Sequence, residues 1–248
     1  MKPRSTSTLA PFTRPTPPAD TAHSKSPTKI LIADDHTIVR EGLTALLQAA
    51  PDFQIIGLAD NGRDAVDAAE RLHPDIILMD LAMPIMNGIT ATRLILKKFK
   101  DVKILALSSY SDEKAVNELL DAGASGYLLK ESASADLLDA IRRVTNGGIA
   151  LSPAIAKRLR HKQDRQQMGA DWKDRSCALT TRESQVLQLI AEGFTNKAIA
   201  AELQISVKTV EKHRQQVMDK LNIHEIAGLT RYAVANNLIA PPGHPPFT

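Results

Sequence analysis

The sequence predicts an α/β fold class: a doubly wound, five-stranded parallel (βα)5 domain, then a flexible linker, then an all-α four-helix helix-turn-helix domain. Three observations predict it. Five short apolar runs, at 30–33, 54–59, 76–79, 104–107 and 126–129, are each followed by an amphipathic helical stretch. Parallel neighbours need crossover connections, which are right-handed and usually helical, so this alternation points to one sheet covered on both faces. After residue 178 the strand-like runs stop, and short helical patterns separated by tight turns replace them. Between the two regions lies a polar stretch without either period.

Residues 1–27 are rich in Pro, Ser and Thr with few large apolar groups. Such a composition buries too little surface to offset the entropy of ordering, which predicts a disordered tail. The first domain is expected over 28–148, with helices near 37–50, 62–72, 88–99, 112–122 and 133–146, the last ended by Asn146-Gly147-Gly148. The linker is expected over 149–177, where Lys157, Arg158, Arg160, Lys162 and Arg165 lie among Gln and Asp. The helical domain is expected over 178–240. Thr180-Thr181-Arg182-Glu183 reads as a capping box and Gly193 as the stop of the same helix. Thr195 caps a helix through Leu203, Ser206 one through Leu221, and 224–237 supplies the fourth; 241–248 is a C-terminal tail.

Charge is partitioned along the chain. Residues 29–150 carry 13 basic and 18 acidic groups, whereas 151–177 carry 7 and 3 and 178–248 carry 7 and 6. An acidic first domain disfavours nucleic acid there and leaves the second free to bind it. One cysteine, Cys177, makes an internal disulfide or a thiolate cage impossible. No apolar run approaches the roughly 20 residues of a membrane span, and the N-terminus lacks a secretory signal, so a cytoplasmic protein with no membrane partner is expected.

The candidate chemistry gathers at one edge of the predicted sheet. Asp34 and Asp35 follow the first strand directly. Asp80 closes the run Ile76-Ile77-Leu78-Met79, Ser108 ends the fourth strand and Lys130 the fifth. If strands run in the order 2-1-3-4-5, the three carboxylates meet at the carboxyl edge, where open α/β sheets bind ligands. Crowded carboxylates repel, and a hard divalent cation with oxygen ligands relieves them; Mg2+ fits with carboxylates, waters and a phosphate. A carboxylate nucleophile, a cation, a hydroxyl and an ammonium together suit phosphoryl acceptance.

These residues resemble a known family. Asp34-Asp35, Asp80 with Met83-Pro84-x-Met86-Asn87-Gly88, Ser108 and Tyr127-Leu128-Leu129-Lys130 are similar to the receiver domain of bacterial response regulators. The resemblance implies that Asp80 is the phosphoacceptor and that Asp35, Asp80 and the Ala82 carbonyl bind Mg2+, with Asp34 acting through water. It implies that Lys130 pairs with the phosphoryl group or Asp80, and that Ser108 and Tyr127 form a switch pair. Ser108 stands where Thr is commoner, and Glu131 where many receivers have Pro.

The second domain reads as helix, tight turn, helix. In the later helix Val207, Val210, Val217 and Leu221 share one face, and Lys208, Glu211, Lys212, Gln215 and Asp219 share another. With Arg214 and Lys220 nearby, the polar face suits a DNA groove. Leu179-Thr180-x-Arg182-Glu183, Asn196-Lys197-x-Ile199-Ala200 and Ser206-x-Lys208-Thr209-Val210-x-x-His213 resemble the LuxR-type helix-turn-helix, and the whole resembles a NarL/FixJ-type response regulator. That resemblance implies base contacts by Glu211, Lys212 and Gln215, and phosphate contacts by Thr195, Asn196, Lys197, Lys208, Thr209, His213 and Arg214. It implies a dimer contact through Ile226, Leu229, Tyr232 and Ala233, with core packing as the alternative.

The expectation is therefore a DNA-binding transcription regulator of a two-component system, phosphorylated on Asp80 by a sensor histidine kinase. Its partners would be double-stranded promoter DNA, a second copy of itself and RNA polymerase, and the helix at 207–221 would be released from the receiver. Two other readings stand beside it: a DNA-binding regulator independent of phosphorylation, and an aspartyl-phosphate phosphatase or phosphotransferase. Enzymatic turnover is disfavoured because haloacid-dehalogenase-like hydrolases carry an acid/base carboxylate two residues after the nucleophile, where this chain has Ala82; slow autodephosphorylation is the most expected.

Overall fold

The computed structural model describes residues 26–109, 113–132, 134–151, 156, 179–236 and 238–239. Residues 1–25 of the expected N-terminal tail, nearly all of the linker, Cys177 and the C-terminal tail lie outside them.

The first unit alternates as β1 (Thr28–Ala33), α1 (Thr37–Gln48), β2 (Phe53–Ala59), α2 (Gly62–Leu72), β3 (Ile76–Asp80), α3 (Gly88–Lys98), β4 (Lys103–Ser108), α4 (Glu113–Asp121), β5 (Gly126–Leu129) and α5 (Ser134–Thr145). All strand pairs are parallel, as the alternation predicts, and the order is β2-β1-β3-β4-β5, the one in which the three carboxylates meet. A two-residue strand, β6 (Ala150–Leu151), pairs with β5 and corrects the expected five strands to six. The apolar run Ile149-Ala150-Leu151 follows the Gly147-Gly148 turn, with Gly147 at φ +84°, and gives the outer edge of β5 a partner. The linker was expected to begin at 149, so this strand falls inside that range.

Strand side chains alternate between two cores. Leu31, Ala33, Ile77 and Met79 pack with α2, α3 and α4 residues such as Val66, Ile95 and Val116. Ile30, Ile32, Ile76 and Leu78 pack with Leu47 of α1 and Ile141 and Val144 of α5. Burial on both faces explains why β3 reads as an unbroken apolar run rather than an alternating one. It also leaves the strand's carboxyl end as the first place where a polar group reaches an edge.

The second unit has its own core, built from α6 (Thr181–Ala191), α7 (Asn196–Glu202), α8 (Val207–Leu221) and α9 (Ile226–Ala235). Thr180 and Glu183 form the expected capping box, and Thr195 and Ser206 cap α7 and α8 through their hydroxyls. After α6, Gly193 takes φ +89°, and the N–H groups of Gly193 and Phe194 bond to Ile190 O and Leu189 O. That pairing is a Schellman stop, which needs the left-handed residue that glycine supplies.

Candidate functional site

Asp34 and Asp80 are delivered by neighbouring strands and Lys130 by the end of β5, and the structure brings all three together. Lys130 Nζ lies 2.7 Å from Asp34 Oδ2 and 3.1 Å from Asp80 Oδ2. Asp80 Oδ1 accepts the Leu81 N–H at 2.8 Å. Burial pushes the Asp80 carboxyl up to about 6, opposed by the Lys130 ammonium and reinforced by the Asp34 charge. Burial alone would lower Lys130; the Asp80 and Asp34 carboxylates outweigh it and raise the ammonium above its usual value. The ammonium thus bridges two acids in a nearly closed site, an arrangement in which removing one partner strands a buried charge.

Asp35 and a residue that sequence reasoning missed, His36, complete the acidic corner. His36 Nδ1 lies 2.7 Å from Asp35 Oδ1 and 3.4 Å from Asp34 Oδ1, and the His36 N–H donates to Asp34 Oδ1 at 2.9 Å. The only sequence signal for His36 was its place directly after the two acids. One ligand atom from each of Asp34, Asp35, His36 and Asp80 lies within 4.8 Å of the others. Asp35 Oδ1 is buried without a hydrogen-bond donor of good geometry. A buried oxygen with no well-aligned donor, among three carboxylates, fits a hard divalent cation.

Ser108 and Tyr127 are both buried, Tyr127 completely and in the core beneath α2–α4. The segment after Asp80 folds back tightly: Gly88 N–H bonds to Leu81 O at 3.0 Å, and Ile85 adopts φ +67°. Ala82, expected to offer its carbonyl, lies on this segment.

On the helical unit, Lys208, Glu211, Lys212 and Gln215 are exposed at i, i+3, i+4 and i+7, one continuous stripe along α8. Thr195 and Lys197 are exposed beside it, with Thr209 and His213 half-buried. Arg214 Nη1 donates to Asn196 Oδ1 at 3.0 Å, so these two expected phosphate contacts are joined to each other. Gln215 Nε2 donates to Asp219 Oδ1 at 2.8 Å. Lys220 is instead bound to Glu183 Oε2 at 2.7 Å, a brace between α8 and α6 rather than a part of the basic face. Val207, on the apolar face of α8, is 40% exposed at its first turn; of the two readings for Leu229 and Ala233, dimer contact or core packing, both side chains take the second and are fully buried in the domain core.

The contact between the two units also differs from expectation. α6 meets the first unit at the 83–87 segment and at α3. Gln188 Nε2 donates to Met83 O at 2.9 Å, and Asn87 N–H donates to Gln188 Oε1 at 2.9 Å. Glu192 accepts the Ile85 N–H through both carboxylate oxygens at 3.2 Å. Every residue of α6 from Glu183 to Ile190 is buried, the polar Ser184, Gln185 and Gln188 included. Two-sided burial of a polar face needs the tertiary partner and left no periodic trace in the sequence.

Comparison with known proteins accounts for both units. Residues 30–142 match the response regulator receiver domain, and residues 177–233 match the bacterial regulatory proteins of the luxR family. The transcriptional regulatory protein LiaR of Bacillus subtilis is 41% identical over 215 residues, covering 85% of this chain and 99% of that protein. The transcriptional regulatory protein DegU of Brevibacillus brevis is 36% identical over 79% of this chain and 89% of its own length. Among solved structures, a LuxR-family two-component response regulator from Aurantimonas sp. SI85-9A1 has a TM-score of 0.54 at 34% identity, covering 56% of this chain and 99% of its own. RcsB from Salmonella enterica serovar Typhimurium, bound to promoter rprA with the phosphomimetic BeF3-, has a TM-score of 0.55 at 27% identity, covering 84% of this chain and 98% of that one. With a sheet order, two domain matches and a near full-length relative in agreement, the chain belongs to the two-component response regulators that join a receiver domain to a LuxR-type DNA-binding domain, and it acts as a transcriptional regulator.

Proposed function

We propose that Asp80 is the residue on which this regulator is switched, by a phosphoryl group from the phosphohistidine of a sensor kinase. The observation that carries the proposal is the convergence of Asp34, Asp80 and the Lys130 ammonium at one buried strand edge. An Asp80 carboxylate oxygen attacks phosphorus, the P–N bond breaks, and the imidazole nitrogen leaves with its electron pair and takes a proton. Lys130, already on Asp80, is placed to follow the new phosphoryl oxygens. Asp35, Asp80 and the Ala82 carbonyl would hold Mg2+, with Asp34 through water, and the ion would supply charge neutralisation for the incoming oxygens. Ser108 and Tyr127 form the switch pair, Tyr127 being inward in the arrangement described. Turnover beyond slow autodephosphorylation is not part of this function.

The test is incubation of the full chain with Mg2+ and a small-molecule phosphodonor, followed by mapping of the modified peptide by mass spectrometry. One phosphoryl group on Asp80 is expected; modification elsewhere, or none, would overturn the assignment.

The receiver, 28–148, then governs a DNA-binding domain, 178–240, whose exposed stripe of Lys208, Glu211, Lys212 and Gln215 reads the major groove of promoter DNA. Thr195, Asn196, Lys197, Thr209, His213 and Arg214 flank it as phosphate contacts, the Asn196–Arg214 pair opening to reach them. The DNA-bound RcsB structure supports DNA binding; the proposed partners are a second copy of this chain on a two-half-site promoter and RNA polymerase. The site of action is the cytoplasm, with the DNA. Lys212→Ala is expected to weaken specific operator binding by about 1–3 kcal/mol, and random DNA much less. Equal losses on the two duplexes in a salt-matched titration would make Lys212 a phosphate contact instead.

A further inference from the structure

The face of α8 that the proposed function lays in the major groove carries a carboxylate among its cations. Lys208, Glu211 and Lys212 are all exposed, and none of the three has a hydrogen-bond or ion-pair partner among the described residues. The other charges and amides of the helix are engaged inside the domain: Arg214 with Asn196, Lys220 with Glu183 and Gln215 with Asp219. Glu211 is therefore an open, acceptor-only group on a surface that must approach a polyanion.

A carboxylate so placed repels phosphates and base-edge acceptors alike, and is stabilised only where a base presents a donor. In the major groove guanine offers only the acceptors N7 and O6, and thymine the acceptor O4 with a methyl group. Adenine offers its N6 amino group, but the N7 acceptor beside it opposes the second carboxylate oxygen. Cytosine offers its N4 amino group with no acceptor next to it on its own edge. Across a C·G pair, the guanine O6 and N7 adjoin that amino group and suit an ammonium, which Lys212 supplies one position along the helix. Glu211 and Lys212 together present the acceptor and the donor that a C·G edge complements.

We propose that Glu211 sets the sequence preference of this regulator. Each half-site carries a C·G pair whose cytosine N4 amino group donates to the Glu211 carboxylate, and duplexes without that donor are rejected by repulsion. The inference rests on α8 being the helix that enters the major groove. Discrimination of this kind opposes the wrong partner as well as favouring the right one. It leaves a signature that an ordinary solvated glutamate lacks: removing the carboxylate improves binding to random DNA while it erases the preference. Glutamine in its place keeps an acceptor and adds a donor, the pattern that matches adenine N6 and N7.

The test is selection of bound duplexes from a random-sequence library by the full chain, at one salt concentration, with Mg2+ and the phosphoryl mimic beryllofluoride present. Wild type is compared with Glu211→Ala and Glu211→Gln, the side chain lying on the exposed face and outside the apolar core. Wild type is expected to select a C·G pair in each half-site. Glu211→Ala should accept any base there and bind random DNA about threefold tighter. Glu211→Gln should move the preference to adenine. Replacing the selected cytosine by 2-pyrimidinone, which lacks the N4 amino group, should weaken wild-type binding about tenfold and leave Glu211→Ala unaffected. A wild-type site without an invariant C·G pair, one selected sequence for all three proteins, or no penalty for the missing amino group would overturn the role of Glu211 alone. A wild-type selection with no sequence preference, or one that Lys208→Ala and Lys212→Ala both leave unchanged in sequence and affinity, would overturn α8 as the groove helix, and this inference with it.

Discussion

Asp80→Asn is expected to leave the chain unable to retain phosphate from a small-molecule donor and, in the same protein, to make the fold more stable at pH 8. The two effects have one cause. Asp80 is held in a closed site where burial raises its carboxyl from 3.8 to about 6. Because the folded value lies above the unfolded one, the folded state binds the proton more tightly, and stability falls as pH rises from about 4 through about 6. Above that window both states are ionised and the full cost remains, about 1–3 kcal/mol at 1.36 kcal/mol per pKa unit. Asparagine escapes it while Lys130 keeps its 2.7 Å contact with Asp34. Thermal melts in chelator should therefore show the variant ahead at pH 8 and level with the wild type near pH 4. A difference independent of pH would mean that the Asp80 carboxylate is not held at a raised value. A destabilised buried carboxylate is a familiar arrangement at functional sites, where the geometry needed for chemistry is maintained by the rest of the fold.

Gly88→Ala should produce the largest loss. A Cβ there would stand 2.0 Å from the Asp80 carbonyl oxygen and 3.0 Å from Leu81 Cα. Both are backbone atoms of the strand end itself, so no side-chain rotation relieves the clash and the 81–88 segment must open. Overpacking of this kind costs about 1–3 kcal/mol and displaces Ala82 and Asp80 together. Urea unfolding should show the lower midpoint at an unchanged slope, and a Mg2+ titration should show weaker binding. A wild-type midpoint would mean that the segment is looser than its packing indicates. Gly62, whose Cβ would meet Met86 O at 2.3 Å, closes the loop from the other side and supplies a second variant of the same type.

The exposed recognition stripe changes the expected form of regulation. From sequence, the natural expectation was that α8 would be released from the receiver; the structure engages α6 instead and leaves α8 open. Non-specific DNA binding depends on accessible cations. Lys208 and Lys212 are accessible in the arrangement described.

Much of this protein was legible in its sequence because the signals are local. Five apolar runs each followed by a helical period determine a parallel sheet, since the only compact way to join parallel neighbours is a helical crossover. A carboxylate at the end of a buried run must emerge at the sheet edge, so Asp34, Asp35, Asp80, Ser108 and Lys130 could be assigned to one edge before any coordinate was known. The caps of α6, α7 and α8 are encoded in Thr180, Thr195 and Ser206. What only the tertiary structure decided is which polar groups meet across long separations. His36 joined the acids, Lys220 turned from the DNA face to Glu183, Leu229 and Ala233 went to the core, and a sixth strand formed where pairing with β5 was available. Above all, Gln188 and Glu192 look like ordinary polar positions of an amphipathic helix until a second surface arrives. Their partners are backbone groups about a hundred residues away, and backbone hydrogen-bonding capacity is the same for every sequence, so no side-chain pattern could have announced them.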